Sequence, residues 1–236
     1  MSGRASLATS AALTPTPTGA PQKALRHPCE DYKARTTGCN QLRQLSGVAA
    51  ETLAVRCGGG ALRHAWSGYE AHAMGFDELR PLSGVGADTL GGMGAIVVDS
   101  LDTLWMLGLK EEFGRTRDWV TSKLTFDRGN ASFFKTSIRI LGGLLSAYQH
   151  SGDRVFPEKA EELGDILATA NSSPQGISYR TVNMRSRLPS VGKDEYGILA
   201  EFGSQQLELI TLSDMTGRPE FAAKAEAVIQ ELHQRG

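Results

Sequence analysis

Residues 151–167 read SGDRVFPEKAEELGDIL, and residues 216–232 read TGRPEFAAKAEAVIQEL. The two stretches lie sixty-five residues apart and align without a gap. Ser151–Gly152 corresponds to Thr216–Gly217, Phe156 to Phe221 and Lys159 to Lys224. Ala160, Glu161, Leu163 and Leu167 correspond to Ala225, Glu226, Val228 and Leu232. A looser copy upstream keeps Gly108, Phe113, Val120 and Leu124. Each copy is a glycine stop, a short polar link, and an amphipathic helix that starts with phenylalanine. Such a unit cannot bury its apolar face alone and must stack on its neighbours. The recurrence therefore predicts an all-α fold of stacked helical hairpins, an α/α toroid.

Working outward, the apolar periodicity predicts helices near 61–74, 95–108, 111–124, 133–150, 156–170, 198–215 and 220–234. Gly75, Gly84, Gly86, Gly91, Gly92 and Gly94 mark 75–94 as loop. Pro174, Pro189 and Gly192 make 172–197 a long loop with room for a short hairpin. Residues 30–60 are weakly patterned and end in Gly58–Gly59–Gly60, which reads as a linker with a short helix near Gln41–Leu53. Residues 1–29 hold no Asp or Glu and are rich in Ala, Ser, Thr and Pro. That composition suits a disordered tail, or an organellar transit segment. The chain thus divides into a disordered or low-complexity segment, 1–60, and a helical domain, 61–236.

The formal charge of −1 implies no basic patch, which argues against nucleic acid and anionic membrane as partners. No run of eighteen apolar residues encodes a transmembrane helix. Cys29, Cys39 and Cys57 are odd in number and lack zinc-like spacing. They read as unremarkable thiols, with a Cys29–Cys39 disulfide as the alternative. Asn130–Ala131–Ser132 and Asn171–Ser172–Ser173 fit the N-glycosylation acceptor pattern, which has meaning only in the secretory pathway.

Polar groups sit where a core helix would not want them. Asp99 and Asp102 are three apart and share a helix face, away from Val98, Leu101, Trp105 and Leu109. Phe134, Ile138, Leu141, Leu145 and Tyr148 line one face of the next helix, and Lys135 and Arg139 another. Gly142–Gly143 falls mid-helix, where each glycine costs about 1 kcal/mol relative to alanine. The pair predicts close approach of a backbone or a ligand. Glu201 and Glu208, seven apart with Gln205 between, share one face of an otherwise apolar helix. Such a stripe is costly unless solvated or paired. It is either a wall accepting hydrogen bonds from sugar hydroxyls or a solvated outer stripe. For Arg139 the structural alternative is an ion pair with Glu201 or Glu208, and for Asp102 an interaction with the helix dipole.

HAWSGYEAHAMGFDEL (64–79), VDSLDTLWMLGL (98–109), EEF, DWV, TSIRILGGLLSAY (136–148), HSGD, AEELGD and LAEFGSQQLEL (199–209) occur in that order. These words resemble the class I α-1,2-mannosidases, glycoside hydrolase family 47, whose members trim mannose from N-glycans. The resemblance runs from about His64 to Pro219. It implies an (α/α)7 barrel of which this chain supplies roughly half, and an inverting, calcium-dependent reaction. It also implies a high-mannose N-glycan or glycoprotein substrate in the endoplasmic reticulum or Golgi. Asp102, Arg139, Glu201 and Glu208 match the family's sugar-contacting positions. The general acid falls at position 135, where the family's Phe-Glu is here Phe134–Lys135. Inverting glycosidases need two carboxyl groups about 6.5–9.5 Å apart, and a lysine inverts the charge beside an oxocarbenium-like transition state. The family's remaining catalytic carboxylates and calcium ligand are expected beyond residue 236, with no metal ligands within the chain. The expectation is a mannosidase-family chain impaired as it stands, the alternatives being a non-catalytic mannose-binding remnant or an inactive fragment.

Overall fold

The computed structural model describes residues 47–190 and 198–235, with side chains for 58–190 and 198–234. The chain divides at Cys57/Gly58, and the first unit contributes only the helical backbone of 47–57 to the description. Helix α1 (Gly47–Ala73) is followed by strands β1 (Glu78–Arg80) and β2 (Val85–Ala87), then α2 (Ala95–Asp99), α3 (Leu101–Met106) and α4 (Lys110–Lys123). Strand β3 (Asn130–Ser132) feeds one long helical run, made of α5 (Phe133–Lys135), a π-helical stretch (Thr136–Leu141) and α6 (Gly142–Ser151). Helix α7 (Val155–Leu167) ends in a 3-10 turn (Ala168–Ser172) and is followed by β4 (Thr181–Asn183) and β5 (Leu188–Pro189). Helices α8 (Leu199–Phe202), α9 (Gln206–Thr216) and α10 (Pro219–Arg235) complete the order.

The repeat is visible in every copy. Gly108, Gly152 and Gly217 all adopt left-handed φ of 70–72°. The Gly152 and Gly217 N–H groups close their helices on the carbonyls of Tyr148 and Ser213. Phe113, Phe156 and Phe221 open the helices that follow, and all three are buried. Helix α7 packs against both α6 and α9, and α9 pairs with α10. Gly164 of α7 leaves the space that Leu212 and Phe221 occupy. Lys159 Nζ donates to the carbonyl of Leu124, the residue closing α4, at 3.0 Å. Its counterpart Lys224 donates to the carbonyl of Ala168, the residue closing α7, also at 3.0 Å. In both copies the lysine thus satisfies a carbonyl left over at the end of the preceding repeat's helix.

Four expectations need correction. The glycine-rich 75–94 segment is not all loop: β1 and β2 pair antiparallel, with Glu78 opposite Ala87 and Arg80 opposite Val85. Gly84, at φ 67°, closes the turn by donating to the Arg80 carbonyl, and Phe76 lies over Gly86, where a side chain would not fit. Gly58–Gly60 is not a linker, because α1 runs through it. Leu107 lies 3.8–3.9 Å from where Cβ atoms on Gly58 and Gly59 would be, an ordinary contact distance. The 95–108 helix breaks at Ser100 (φ −93°, ψ −9°). The 198–215 helix also breaks, between Phe202 and Gln206. There Gln205 is buried and its Nε2 donates to Ser178 Oγ at 2.8 Å. The 172–190 part of the long loop does hold strands: β4 pairs with both β3 and β5. Residues 1–46 and 191–197, with Cys29, Cys39 and the Cys57 side chain, lie outside the described residues.

Candidate functional site

Two devices set the position of the 133–151 run. Ser132 caps its start, with Oγ accepting from the Lys135 N–H at 3.3 Å. Gly143 lets it press on α2: a Cβ there would stand 2.7 Å from the Val98 carbonyl oxygen. Between these points the helix widens to π spacing over Thr136–Leu141, the stretch that carries Arg139. Such insertions re-aim side chains and recur at functional sites.

One stripe of this run, Arg139, Gly142 and Ser146, meets acidic groups from three other helices. Arg139 Nε donates to Asp99 Oδ2 of α2 at 2.7 Å. Ser146 Oγ donates to Asp102 Oδ2 of α3 at 3.0 Å, and Thr103 Oγ1 donates to Asp102 Oδ1 at 3.1 Å. A Cβ on Gly142 would lie 3.8–3.9 Å from Glu208 Cγ and Oε1 of α9, so that carboxylate packs beside this turn of the helix at ordinary contact distance. Burial pushes the Glu208 carboxyl above its ordinary pKa. Its Oε2 is enclosed and has no hydrogen-bond partner among the described residues. Gln205 Oε1 and Gln206 Nε2, at the start of the same helix, are also enclosed and unpartnered.

The other expected positions fall differently. Glu201 lies on α8 and is held by Arg180 Nε at 3.0 Å. The break at Gly203 therefore separates it from Glu208, and the two do not share one helix face as the seven-residue spacing suggested. The ion-pair partner of Arg139 is Asp99, not Glu201 or Glu208. Lys135 is exposed, four residues before Arg139, and makes no ion pair among the described residues.

Sequence reasoning missed Asp77, which is fully buried. Its Oδ2 accepts from the Leu90 and Gly92 N–H groups, each at 2.7 Å. Its Oδ1 accepts from Met93 at 2.9 Å and Ala95 at 3.1 Å. Asp77 thereby caps α2, whose adjacent cap residue, Gly94, has no side chain to do so. The six glycines of 75–94 marked a loop, but no spacing rule names the carboxylate.

The arrangement offers carboxylate and amide groups that are enclosed yet unsatisfied, the donor and acceptor set that a polyhydroxylated ligand requires. The family model for glycosyl hydrolase family 47 matches residues 61–236. The chain belongs to glycosyl hydrolase family 47. It is 49% identical over 148 residues to mannosyl-oligosaccharide 1,2-alpha-mannosidase MNS1 of Arabidopsis thaliana, a match covering 61% of this chain and 26% of that protein. It is 42% identical over 146 residues to the human endoplasmic reticulum mannosyl-oligosaccharide 1,2-alpha-mannosidase, covering 60% of this chain and 21% of that one. Among solved structures, alpha-1,2-mannosidase from Trichoderma reesei matches with a TM-score of 0.65 and 28% identity. That match covers 74% of this chain and 39% of the other. The family 47 chain described here thus spans roughly a quarter of the curated relatives it matches. No helix among the described residues is long and apolar enough to cross a membrane.

Proposed function

We propose that this family 47 chain forms part of the mannose-binding wall of an (α/α)7 barrel that removes α-1,2-linked mannose from high-mannose N-glycans. The observation that carries the reading is Glu208. It is a carboxylate desolvated against Gly142, with one oxygen left without a donor. An enclosed unsatisfied carboxylate costs stability. Sugar hydroxyls supply the missing donors, and Asp102 and Arg139, on the stripe that meets Gly142, extend the polar wall; Glu201 keeps its place in this reading by the family's motif alone. The names of the relatives support a secretory-pathway location, since several are endoplasmic reticulum enzymes.

Hydrolysis with inversion asks for a protonated acid at the glycosidic oxygen and a base activating water on the opposite face. In this reading position 135 is the acid position, and Lys135 supplies a cation where the transition state is itself positive. With a lysine there, hydrolysis by the chain as it stands is impaired. Among the described residues no group of three His, Cys, Asp or Glu is placed to hold a metal ion. No step is assigned to calcium.

The test is a set of four proteins assayed on an α-1,2-mannose disaccharide: the chain, its Lys135→Glu variant, and each of these joined through residue 236 to the C-terminal part of an active relative. Only the joined Lys135→Glu protein should turn over, with inversion at the anomeric carbon. Positioned acid–base groups contribute typically about 10²–10⁴-fold each, so the contrast is large. Turnover by either protein that retains Lys135 overturns the assignment of position 135.

A further inference from the structure

We propose that Asn130 is an N-glycosylation site and that Asn171, in the chain's second acceptor triplet, is closed to glycan in the folded protein. The inference rests on the secretory-pathway reading above. Asn130–Ala131–Ser132 and Asn171–Ser172–Ser173 are equivalent as sequence, and the structure separates them.

Asn130 is exposed on β3, an edge strand of the β3–β4–β5 sheet. Its Oδ1 accepts from Asn183 Nδ2 at 2.8 Å, and its Nδ2 lies 3.3 Å from Ser190 Oγ. In glycan transfer a bond forms between Nδ2 and the sugar anomeric carbon. The bond from that carbon to the pyrophosphate oxygen of the lipid-linked donor breaks, and one amide proton is lost. One N–H and the whole of Oδ1 remain, so the bonds to Ser190 and Asn183 can both persist. Ser132 of the triplet keeps its own task, capping the helix that starts at Phe133.

Asn171 has no such freedom. Its Nδ2 is enclosed and unpartnered. Its Oδ1 accepts from Ser178 Oγ at 2.5 Å and from Gln205 Nε2 at 3.4 Å. The Ser173 hydroxyl is spent on the Ile177 carbonyl. A sugar on the enclosed Nδ2 would have to force this amide out of its packing, and with it the Ser178 and Gln205 bonds to Oδ1. A chain glycosylated at Asn171 cannot close this part of the fold.

The experiment expresses the full chain in animal cells behind an added cleavable signal, with an extra acceptor triplet at the C-terminus to report entry into the lumen. Glycans on the protease-resistant fraction are released enzymatically, and the converted asparagines are mapped by mass spectrometry. The expected result is one glycan beyond the reporter, at Asn130, lost in Asn130→Gln and kept in Ser132→Thr and Ser173→Ala. A glycan mapped to Asn171 in the folded fraction, or no glycan at Asn130 when the reporter is occupied, overturns the proposal. Because the signal is supplied, the mapped asparagines report on the site alone. The protein's own location is a separate measurement, made by imaging the endogenous protein against an endoplasmic reticulum marker, and its failure sinks only the secretory-pathway reading.

Discussion

Replacing Gly143 and Gly142 by alanine, one at a time, should move stability in opposite directions. Both positions lie in the helical run 133–151 and neither has positive φ, so alanine gains about 1 kcal/mol of helix propensity at each. At Gly142 the added methyl would meet Ser137 O at 3.7 Å and the Glu208 side chain at 3.8–3.9 Å, which is ordinary contact. The propensity gain survives, and Gly142→Ala should stabilise by about 0.5–1 kcal/mol. At Gly143 the methyl would stand 2.7 Å from the Val98 carbonyl oxygen, 3.2 Å from its carbon and 3.2 Å from Val98 Cγ1. Two of these atoms are backbone, so no rotamer change relieves the clash and α2 must move away from α6. Overpacking of this kind costs about 1–3 kcal/mol, and a rigid backbone puts the cost near the top of that range. After the propensity gain, Gly143→Ala should destabilise by about 1–2 kcal/mol. Urea unfolding followed by far-ultraviolet circular dichroism measures both, with shared slopes reporting unchanged exposure of surface. If Gly143→Ala proves as stable as Gly142→Ala, the close α2–α6 approach that sets the Asp99–Arg139 pair is not as described. Gly142→Ala also separates stability from ligand: it should bind mannose more weakly while melting higher.

Asp77→Asn leaves one carbonyl oxygen for four backbone donors and turns an amide toward the rest, so it should cost roughly 3–5 kcal/mol. Hydrogen exchange should speed at Leu90, Gly92, Met93 and Ala95 before anywhere else, and uniform exchange across the protein would contradict the local pin. Glu208→Gln should raise the melting temperature at pH 7. The native carboxyl is raised by burial, so its contribution is fully present below the unfolded value, about 4.3, and is lost as pH rises through the folded one. The advantage of the variant should therefore vanish near pH 4, and an equal effect at both pH values would refute the desolvation argument.

The hairpins were legible because they obey local rules. Gly152 and Gly217 must leave the helix in a left-handed conformation, and the buried face that starts at Phe156 or Phe221 follows a 3.6-residue period whatever it packs against. Lys159 and Lys224 were visible as a repeated pair, and their shared role at the preceding helix end followed once the copies stacked. Gly142–Gly143 announced a close approach, which is met at Gly143 by the Val98 backbone, while the neighbours of Gly142 lie at ordinary contact distance.

What the sequence could not decide was which polar groups meet. Seven residues between Glu201 and Glu208 promise one helix face only if the helix is unbroken. The break depends on Gln205 finding Ser178, twenty-seven residues earlier in the chain. For Arg139 the sequence offered Glu201 or Glu208 as ion-pair partner, and the π-helical widening beside α2 gave it to Asp99 instead. Asp77 carries no periodic signal, because its partners are backbone N–H groups of a loop and backbone groups are the same in every residue but proline. By itself the sequence determined the repeating hairpins and the family, since both are written in local spacing and residue type. The tertiary structure alone decided the pairing of charges. An ion pair or a buried carboxylate depends on distances across elements, and those are set by how closely glycine lets two helices approach.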